Sequence, residues 1–271
     1  MARLPAGTVD GRVTGSVSFD HAAEYYDETR GLTPEGVRAE NAMLVGALAG
    51  RGRVLEVGVG TGQIALPLHA SGIDVIGFDL SRAMLDVLIR KAGGAAPFPL
   101  TVGDATSMPF RDAGVDAAYL RWVLHLVTDW RAVVAETVRV VRPTGTIAIH
   151  LGDYGDGPTD RIRERFCELA GVDPRPVGLD WGAYDELDAE MAGLGAVVRE
   201  LPAVVAPSTW TAEAFMRRVE GNAFSWTWPL DDGVRDRAAA ETRAWAEEAF
   251  GALTEIPRED FDMRWHAYDL P

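Results

Sequence analysis

Val54-Leu-Glu-Val-Gly-Val-Gly-Thr-Gly62 is the stretch of sequence that decides the fold. A run of β-forming residues leads into three glycines at alternate positions, and Gly62–Ala70 is predicted to be a helix. A strand, a glycine-rich turn and a helix place a ligand at the carboxyl end of the strand, against the helix N-terminus. A dinucleotide fingerprint has the spacing G-x-G-x-x-G, whereas position 63 of this chain is Gln. The segment therefore predicts a ligand-binding turn that is not built for a pyrophosphate.

Short β-rich runs alternate with helical stretches on both sides of this turn. The predicted strands are Arg53–Val59, Asp74–Leu80, Phe98–Gly103, Asp116–Trp122 and Thr146–Leu151. Helices are predicted at Ser81–Lys91 and Trp130–Val141, and Arg142–Gly145 is predicted to be a turn. This alternation is typical of right-handed βαβ units, so we expect an α/β fold with a Rossmann-like, doubly wound and mostly parallel sheet.

The chain is predicted to form a single domain over residues 1–271. Residues 1–50 are expected to be an N-terminal lid with a helix over Pro34–Ala49, and residues 51–151 the ligand-binding core. Residues 152–271 are expected to supply the remaining strands, the last of them antiparallel, with a cap insertion folded over the edge of the sheet. The predicted elements there are Asp185–Leu194, Ala196–Val205, Thr211–Val219, Val234–Phe250 and Asp260–Tyr268.

Composition narrows the class of function. The chain has 41 acidic and 26 basic residues and a formal charge of −15, which disfavours binding to nucleic acid or to an anionic membrane. Its one cysteine, Cys167, excludes an internal disulfide and fits a cytoplasmic location. Neither a signal peptide nor a transmembrane helix is expected, because no apolar run is long enough.

Acidic residues lie at or near the ends of three neighbouring strands. Glu56 precedes the glycines inside the first strand, Asp79 ends the second, and Asp104 follows the third. A carboxylate in the position of Asp79 can accept hydrogen bonds from both ribose hydroxyls, and Asp104 can accept one from an adenine amino group. The alternative is that both aspartates are helix N-caps. The set favours a nucleoside without phosphates.

These motifs, in this order, resemble the class I S-adenosylmethionine-dependent methyltransferases, in particular the ubiquinone/menaquinone-biosynthesis type. The resemblance covers about residues 19–151, and its pieces are Phe19–Arg30, Val54–Gly62, Val75–Leu85, Gly103–Phe110, Val123–Trp130 and Arg142–Gly145. It implies S-adenosyl-L-methionine as cofactor and a small molecule as methyl acceptor. Where the family commonly has Lys-Pro-Gly-Gly, this chain has Arg142-Pro-Thr-Gly145.

The resemblance also assigns residues to the cofactor. Asp79 would hold the ribose, and Met84 would pack on the adenine unless it is simply a core residue. Tyr26 and Arg30 would belong to the lid near the cofactor carboxylate unless they are surface residues. The full cofactor-binding set is Tyr26, Arg30, Glu56, Gly58, Gly60, Gly62, Asp79, Leu80, Met84, Asp104, Ala105 and Arg121.

Methyl transfer is an in-line displacement at the methyl carbon, which requires alignment and exclusion of water. His125 follows the fourth strand and is the candidate general base, the alternative being a residue that only orders its loop. His150 is a weaker candidate. Candidate substrate residues are Trp122, His125, Tyr154 and Trp226. If their segment is extended, Phe224, Trp226 and Trp228 lie on one side of it, either lining an apolar pocket or fixing the cap to the sheet.

Other functions remain open at this stage. The acceptor atom is an O, N, C or S nucleophile of a small, apolar or aromatic molecule. Alternatively, the chain binds the cofactor and either transfers no methyl group or catalyses a different reaction. A nicotinamide dehydrogenase is disfavoured by the glycine spacing, and an RNA methyltransferase by the charge. Nothing in the sequence supports a protein substrate, and no bound metal is expected. A homodimer is possible as the oligomeric state.

Overall fold

A computed structural model of the protein describes residues 8–9, 12–13, 15–30, 32–152, 155, 157–173, 175–206, 211–257 and 261–271. The strands are β1 Thr8–Val9, β2 Arg12–Val13, β3 Arg53–Val57, β4 Asp74–Asp79, β5 Leu100–Val102, β6 Val115–Arg121, β7 Val141–His150, β8 Val197–Glu200, β9 Val204–Ala206, β10 Phe261–Met263 and β11 His266–Asp269. The α-helices are α1 Tyr26–Arg30, α2 Pro34–Leu48, α3 Ala65–Ala70, α4 Arg82–Lys91, α5 Trp130–Val140, α6 Pro158–Ala170, α7 Tyr184–Gly193, α8 Ala212–Glu220 and α9 Asp232–Phe250.

Seven of these strands form one sheet, in the order β5-β4-β3-β6-β7-β11-β8. Strands β3 to β7 are parallel, and β11 is antiparallel to both of its neighbours, β7 and β8. The predicted Rossmann-like sheet with an antiparallel last strand is confirmed. The carboxyl ends of β3, β4 and β6 therefore meet at one edge, where an α/β sheet binds its ligand.

The sheet has an apolar core on each face, because side chains alternate along each strand. Leu55 and Val57 pack on one face, with α5 and α7. Val54 packs on the other face, with α2, α3 and α4. A sheet that is covered on both faces accounts for the nearly continuous burial of β3 and β6.

Two long predicted strands are each interrupted in the structure. The predicted strand over 196–205 is divided into β8 and β9 around Pro202, which cannot donate a backbone hydrogen bond to a ladder. The predicted strand over 260–268 is divided into β10, which pairs with β9, and β11, which enters the main sheet. The expectation of one continuous strand in each place was wrong.

The segment predicted as a turn before the fifth strand lies within β7. Pairing with β6 passes from Val141 to Thr146 with a break in register, and Thr144 has φ of +63°. The four residues Arg142–Gly145 therefore bulge out of the ladder and keep a turn-like backbone.

Helices α6, α8 and α9 form a cap with an apolar core of its own, built around residues such as Phe166, Met216 and Ala239. Two stretches of chain supply it, one directly after β7 and one between β9 and β10. Helix α6, which the sequence analysis did not delimit, begins at Pro158 and ends before Gly171 in the left-handed region. Proline at the start and glycine just past the end are the residues expected there.

Candidate functional site

The glycine-rich turn joins β3 to α3 at the carboxyl edge of the sheet. Gly58, Gly60 and Gly62 all have positive φ, at +76°, +53° and +78°. A Cβ atom on Gly62 would lie 2.9 Å from Cγ of Leu88, so only glycine fits there without a shift. The helix begins at Ala65 rather than Gly62, because the turn occupies the intervening residues.

Asp79 closes this turn from the end of β4. Its carboxylate accepts hydrogen bonds from the backbone N–H of Gly60 at 2.8 Å and of Ser81 at 2.7 Å, and Leu80 contributes a further backbone hydrogen bond. Burial raises the pKa of Asp79 to about 6. Ser81, not Asp79, is the N-cap of α4, since its hydroxyl accepts from the N–H of Met84 at 3.1 Å. The carboxylate is thus held at the edge of the cleft by the chain on either side of it.

Buried ionisable side chains lie behind the turn. Tyr119 lies opposite Glu56 in the sheet register and donates its hydroxyl to that carboxylate at 2.7 Å. Burial raises the pKa of Glu56 well above its ordinary value. Arg121 ends β6 and pairs with Glu40 of α2 at 3.1 Å, both side chains being almost fully buried. No cation hydrogen-bonds to Glu56 in the part of the chain that the structure describes.

Residues 15–30, here called the N-terminal segment, lie across the edge of the cleft. The N–H of Val17 donates to the carbonyl of Leu126 at 3.0 Å. The hydroxyl of Ser16 lies 3.1 and 3.2 Å from the two carboxylate oxygens of Asp104. Asp104 also accepts from the N–H of Thr106 at 2.9 Å, which closes a turn and is not a helix cap. The segment thus reaches the end of β5 as well as the loop after β6.

Asp27 attaches the N-terminal segment to the glycine turn. Its carboxylate accepts from the hydroxyl of Thr61, from the amide of Gln63 at 2.9 Å and from the ammonium group of Lys91 at 2.6 Å. Sequence reasoning missed this residue, although it lies inside the Phe19–Arg30 motif. The one feature of the sequence that could have indicated Asp27 is its position directly after Tyr26, a predicted site residue.

Met84 lies beneath the same segment. It is almost fully buried and packs with Ala23, Val87, Phe19 and Tyr26. Met84 is therefore a core residue that also borders the glycine turn at Gly60, and its contact with the adenine stays a prediction.

The far end of the N-terminal segment contacts the cap. Arg30 donates to the carbonyl of Ala223 at 3.2 Å and lies over the ring of Phe224, 4.7 Å from its centre. The ring of Trp228 lies 5.0 Å from Phe19 and 3.9 Å from His21. The N-terminal segment therefore contacts the glycine turn at one side and the cap at the other.

An aromatic group borders the cleft beyond β6. Trp122 has φ of +56°, which is strained for a residue with a bulky side chain, and its N–H donates to the carbonyl of His150 at 3.1 Å. The ring of Trp181 lies 3.9 Å from that of His125. A Cβ atom on Gly152 would lie 2.6 Å from the Trp181 ring, so glycine is needed between the two tryptophans. Strain at such a position is a marker of a functional site.

His125 is uncharged in this setting. Burial, with smaller effects from the charges of Arg30 and His150, lowers its pKa to about 3. The Nδ1 atom of His125 has no hydrogen-bond partner among the described residues. Burial likewise lowers the pKa of His150 to about 3, and its Nδ1 contacts the carbonyl of Arg264 at 2.6 Å.

The alternating aromatic residues of the cap do not follow the extended pattern. Ser225–Thr227 is a 3-10 helix, so the condition for placing all three rings on one side is not met. Phe224 and Trp226 stack on each other at 5.1 Å, and Trp226 also contacts Phe166 inside the cap. Trp228 instead packs against the N-terminal segment. A role for Trp226 in substrate binding stays a prediction.

The remaining predicted residues are placed as follows. Ala105 packs against the sheet core beside the end of β5. Tyr154, together with Asp153, lies outside the described residues. Among the residues that are described, no group of three or more His, Cys, Asp or Glu side chains is placed to hold a metal ion. Within the same residues, no helix is both long and apolar enough to span a membrane.

Comparison with known proteins gives a consistent result. Residues 55–149 match the family described as "Methyltransferase domain". A demethylmenaquinone methyltransferase of Clavibacter sepedonicus is 34% identical over 155 residues, which cover 56% of this chain and 62% of that protein. The chain spans between about half and three fifths of the length of the first relatives it matches.

Solved structures share the fold. The YcgJ protein of Bacillus subtilis superimposes with a TM-score of 0.59 at 18% identity, over 86% of this chain and 98% of that one. A SAM-dependent methyltransferase of Thermotoga maritima gives 0.55 at 18% identity, over 93% and 97%. At this level of identity the likeness establishes the architecture of the chain.

Proposed function

We infer that this chain is a class I S-adenosylmethionine-dependent methyltransferase, and the match of residues 55–149 to the family described as "Methyltransferase domain" supports this. The observation that carries the inference is the set of groups at the carboxyl edge of the sheet. The glycine turn follows β3, which holds the buried carboxylate of Glu56, and Asp79 ends the neighbouring strand β4. The N-terminal segment binds this turn through Asp27.

The residues present fit this cofactor. Among the described residues, only backbone N–H groups donate to Asp79, and its pKa is raised, so two further hydroxyl donors from a ribose would stabilise its ionised form. Glu56 is a buried acid to which no cation of the described residues hydrogen-bonds, which suits the ammonium group of the amino acid end. When bound, the cofactor supplies an electrophilic methyl group attached to a sulfonium.

The chain's own residues would then prepare the cleft for transfer. We propose that the glycine turn, Met84, Leu80, Asp104, Ala105 and Arg121 complete the cofactor site. Trp122 and His125 border the acceptor, and the N-terminal segment excludes water from the reacting groups through Tyr26 and Arg30. The acceptor is a small molecule with a planar or apolar body, because the bordering rings are aromatic.

Calorimetry with nucleotide ligands tests this function. We expect S-adenosylmethionine and S-adenosylhomocysteine to bind in the micromolar range and to raise the melting temperature, since they bind the folded state only. NAD and NADP should not bind, because the glycine spacing leaves no pyrophosphate cradle. Binding of NAD without binding of S-adenosylhomocysteine would contradict the proposal.

The affinity for S-adenosylhomocysteine should depend on pH. Asp79 must be ionised to accept both ribose hydroxyls, and its pKa without ligand is raised to about 6. We therefore expect affinity to be constant well above that pKa and to fall about tenfold by about pH 5, one unit below it. The raised pKa of Glu56 acts in the same direction. Asp79→Asn isolates the Asp79 contribution, so an unchanged pH profile in this variant would exclude Asp79.

His125 is expected to position the acceptor and not to act as a base. With its pKa lowered to about 3 it is a weak proton acceptor near neutral pH. We expect kcat of His125→Gln to stay within about tenfold of the wild type, with no step in rate near pH 6.5, whereas losing a general base costs about 10²–10⁴-fold. A loss in that larger range, with unchanged cofactor affinity, would make His125 the base.

Asp27 is expected to hold the N-terminal segment closed. Amide hydrogen exchange of residues 15–30 should slow when S-adenosylhomocysteine binds, and Asp27→Ala should remove most of this protection because three donors lose their acceptor. Glu24→Ala is the matched control, since Glu24 lies in the same segment and pairs with Arg90 of α4 at the surface. Equal protection in both variants would contradict the role of Asp27.

A further inference from the structure

Arg30 is a partly buried cation that has no acidic partner among the described residues. Its guanidinium donates to two backbone carbonyls, of Thr29 at 3.3 Å and of Ala223 at 3.2 Å. The ring of Phe224 lies 4.7 Å below it. Burial lowers its pKa, which shows that its surroundings disfavour the charge. In a chain with 41 acidic residues, a half-buried arginine without a carboxylate is unusual.

Arg30 lies where the proposed cofactor site meets the cap. It ends the short helix that begins with Tyr26, and it contacts the cap through Ala223 and Phe224. Its charge also acts on His125, on the loop after β6. The guanidinium therefore lies between the cap and the loop that carries His125, a proposed neighbour of the acceptor.

A second arginine, Arg121, adds positive charge to the same region. Arg121 is 9% exposed, and its Nη2 atom has no hydrogen-bond partner among the described residues. Its guanidinium lies 3.8 Å from the centre of the Trp122 ring. Burial raises the pKa of Tyr26, and the charges of Arg30 and Arg121 oppose that rise, so both guanidinium groups lie near the phenol. Glu40 forms its ion pair with Arg121 and does not compensate the charge of Arg30.

These positions disfavour a cationic acceptor. An aromatic cage binds an ammonium group by presenting free ring faces, but guanidinium groups already cover the rings of Phe224 and Trp122. A further cation would meet two positive charges and the sulfonium. An anion would instead find one uncompensated cation and one free donor.

We propose that Arg30 binds an anionic group of the methyl acceptor, and that the acceptor is a planar organic anion such as an aromatic carboxylate, phenolate or enolate. This rests on the proposed methyltransferase function. An acceptor that attacks as an oxyanion forms its bond to the methyl carbon while the carbon–sulfur bond breaks and its electron pair moves to sulfur. No proton leaves in that step, so the reaction needs no general base, which agrees with an uncharged and weakly basic His125.

The test compares two ligands of the same shape. 2-Naphthoate and its neutral analogue 2-naphthamide are titrated by calorimetry into the protein saturated with S-adenosylhomocysteine. We expect the wild type to bind the naphthoate at least about tenfold more tightly, Arg30→Gln to bind both equally, and Arg30→Lys to keep part of the preference. Arg217→Gln is the control for charge, because it removes an exposed cap arginine that is paired with Glu213.

The alternative ligand of Arg30 is the carboxylate of the cofactor. In that case Arg30→Gln would weaken S-adenosylhomocysteine but not 5′-methylthioadenosine, which lacks the amino acid, and the naphthoate preference would persist. That result overturns the proposal, as does failure of the wild type to bind naphthoate at about 1 mM or to prefer it. If the wild type does not bind S-adenosylhomocysteine, the methyltransferase function itself fails, and this is measured first.

Discussion

Asp79→Ala is expected to weaken binding of S-adenosylhomocysteine about 10- to 150-fold, or by about 1.5–3 kcal/mol, the range for hydrogen bonds to a charged group. Asp79 lies at the end of β4 with its carboxylate fixed by the N–H groups of Gly60 and Ser81. Alanine removes the proposed acceptor of both ribose hydroxyls and also releases the turn. Both changes reduce affinity for the nucleoside.

The control for this measurement is Asp86→Ala. Asp86 lies on α4 and pairs with Arg82 at the surface, so its removal changes the net charge equally without touching the turn. Titration of both variants with S-adenosylhomocysteine by calorimetry, at a pH well above 6, distinguishes the loss of a local contact from an effect of net charge on affinity. Unchanged affinity in Asp79→Ala would remove Asp79 from the site.

The placement of Asp79 was predictable from sequence because it depends on local rules. A β-rich run that ends in glycines predicts a strand and a turn, and the parallel neighbour of that strand must end at the same edge. The register confirms this, since Val57 lies opposite Phe78, one residue before Asp79. The fold class followed from the same alternation of strands and helices.

The partners of the N-terminal segment were not predictable in this way. Asp27 binds Thr61 and Gln63, more than thirty residues away, and Ser16 binds Asp104 across a separation of 88 residues. No periodicity in a single sequence encodes such pairs, because they depend on how the segment crosses the finished sheet. The resemblance identified the motif but not its hydrogen bonds.

The cap shows a different limit. The alternation of Phe224, Trp226 and Trp228 predicts a shared face only for an extended chain, whereas Ser225–Thr227 closes a 3-10 turn. The hydroxyl of Thr227 accounts for this turn, since it donates to the side chain of Asn222 and the carbonyl of Phe224, both at 2.7 Å. Side-chain competition for the backbone thus overrode the β-forming composition.

Arg121→Met is expected to lower the free energy of unfolding by about 3–5 kcal/mol, the range for breaking one side of a buried ion pair. The Arg121 and Glu40 side chains are only 6% and 4% exposed. Methionine fills much of the same volume but leaves the Glu40 carboxylate buried without a cation. The pKa of Glu40, already raised by burial, should rise further, and its protonation limits the loss.

A second substitution distinguishes the lost charge from lost packing. In Arg121→Met combined with Glu40→Gln no buried charge remains, so most of the stability should return. Arg131→Met is the matched control, because Arg131 pairs with Glu186 and Glu190 at the surface and its removal should change the free energy of unfolding far less. Urea unfolding without ligand measures all four proteins under the same conditions. If Arg121→Met costs no more than Arg131→Met, or if Glu40→Gln adds to its loss, the pair does not stabilise the fold through charge compensation.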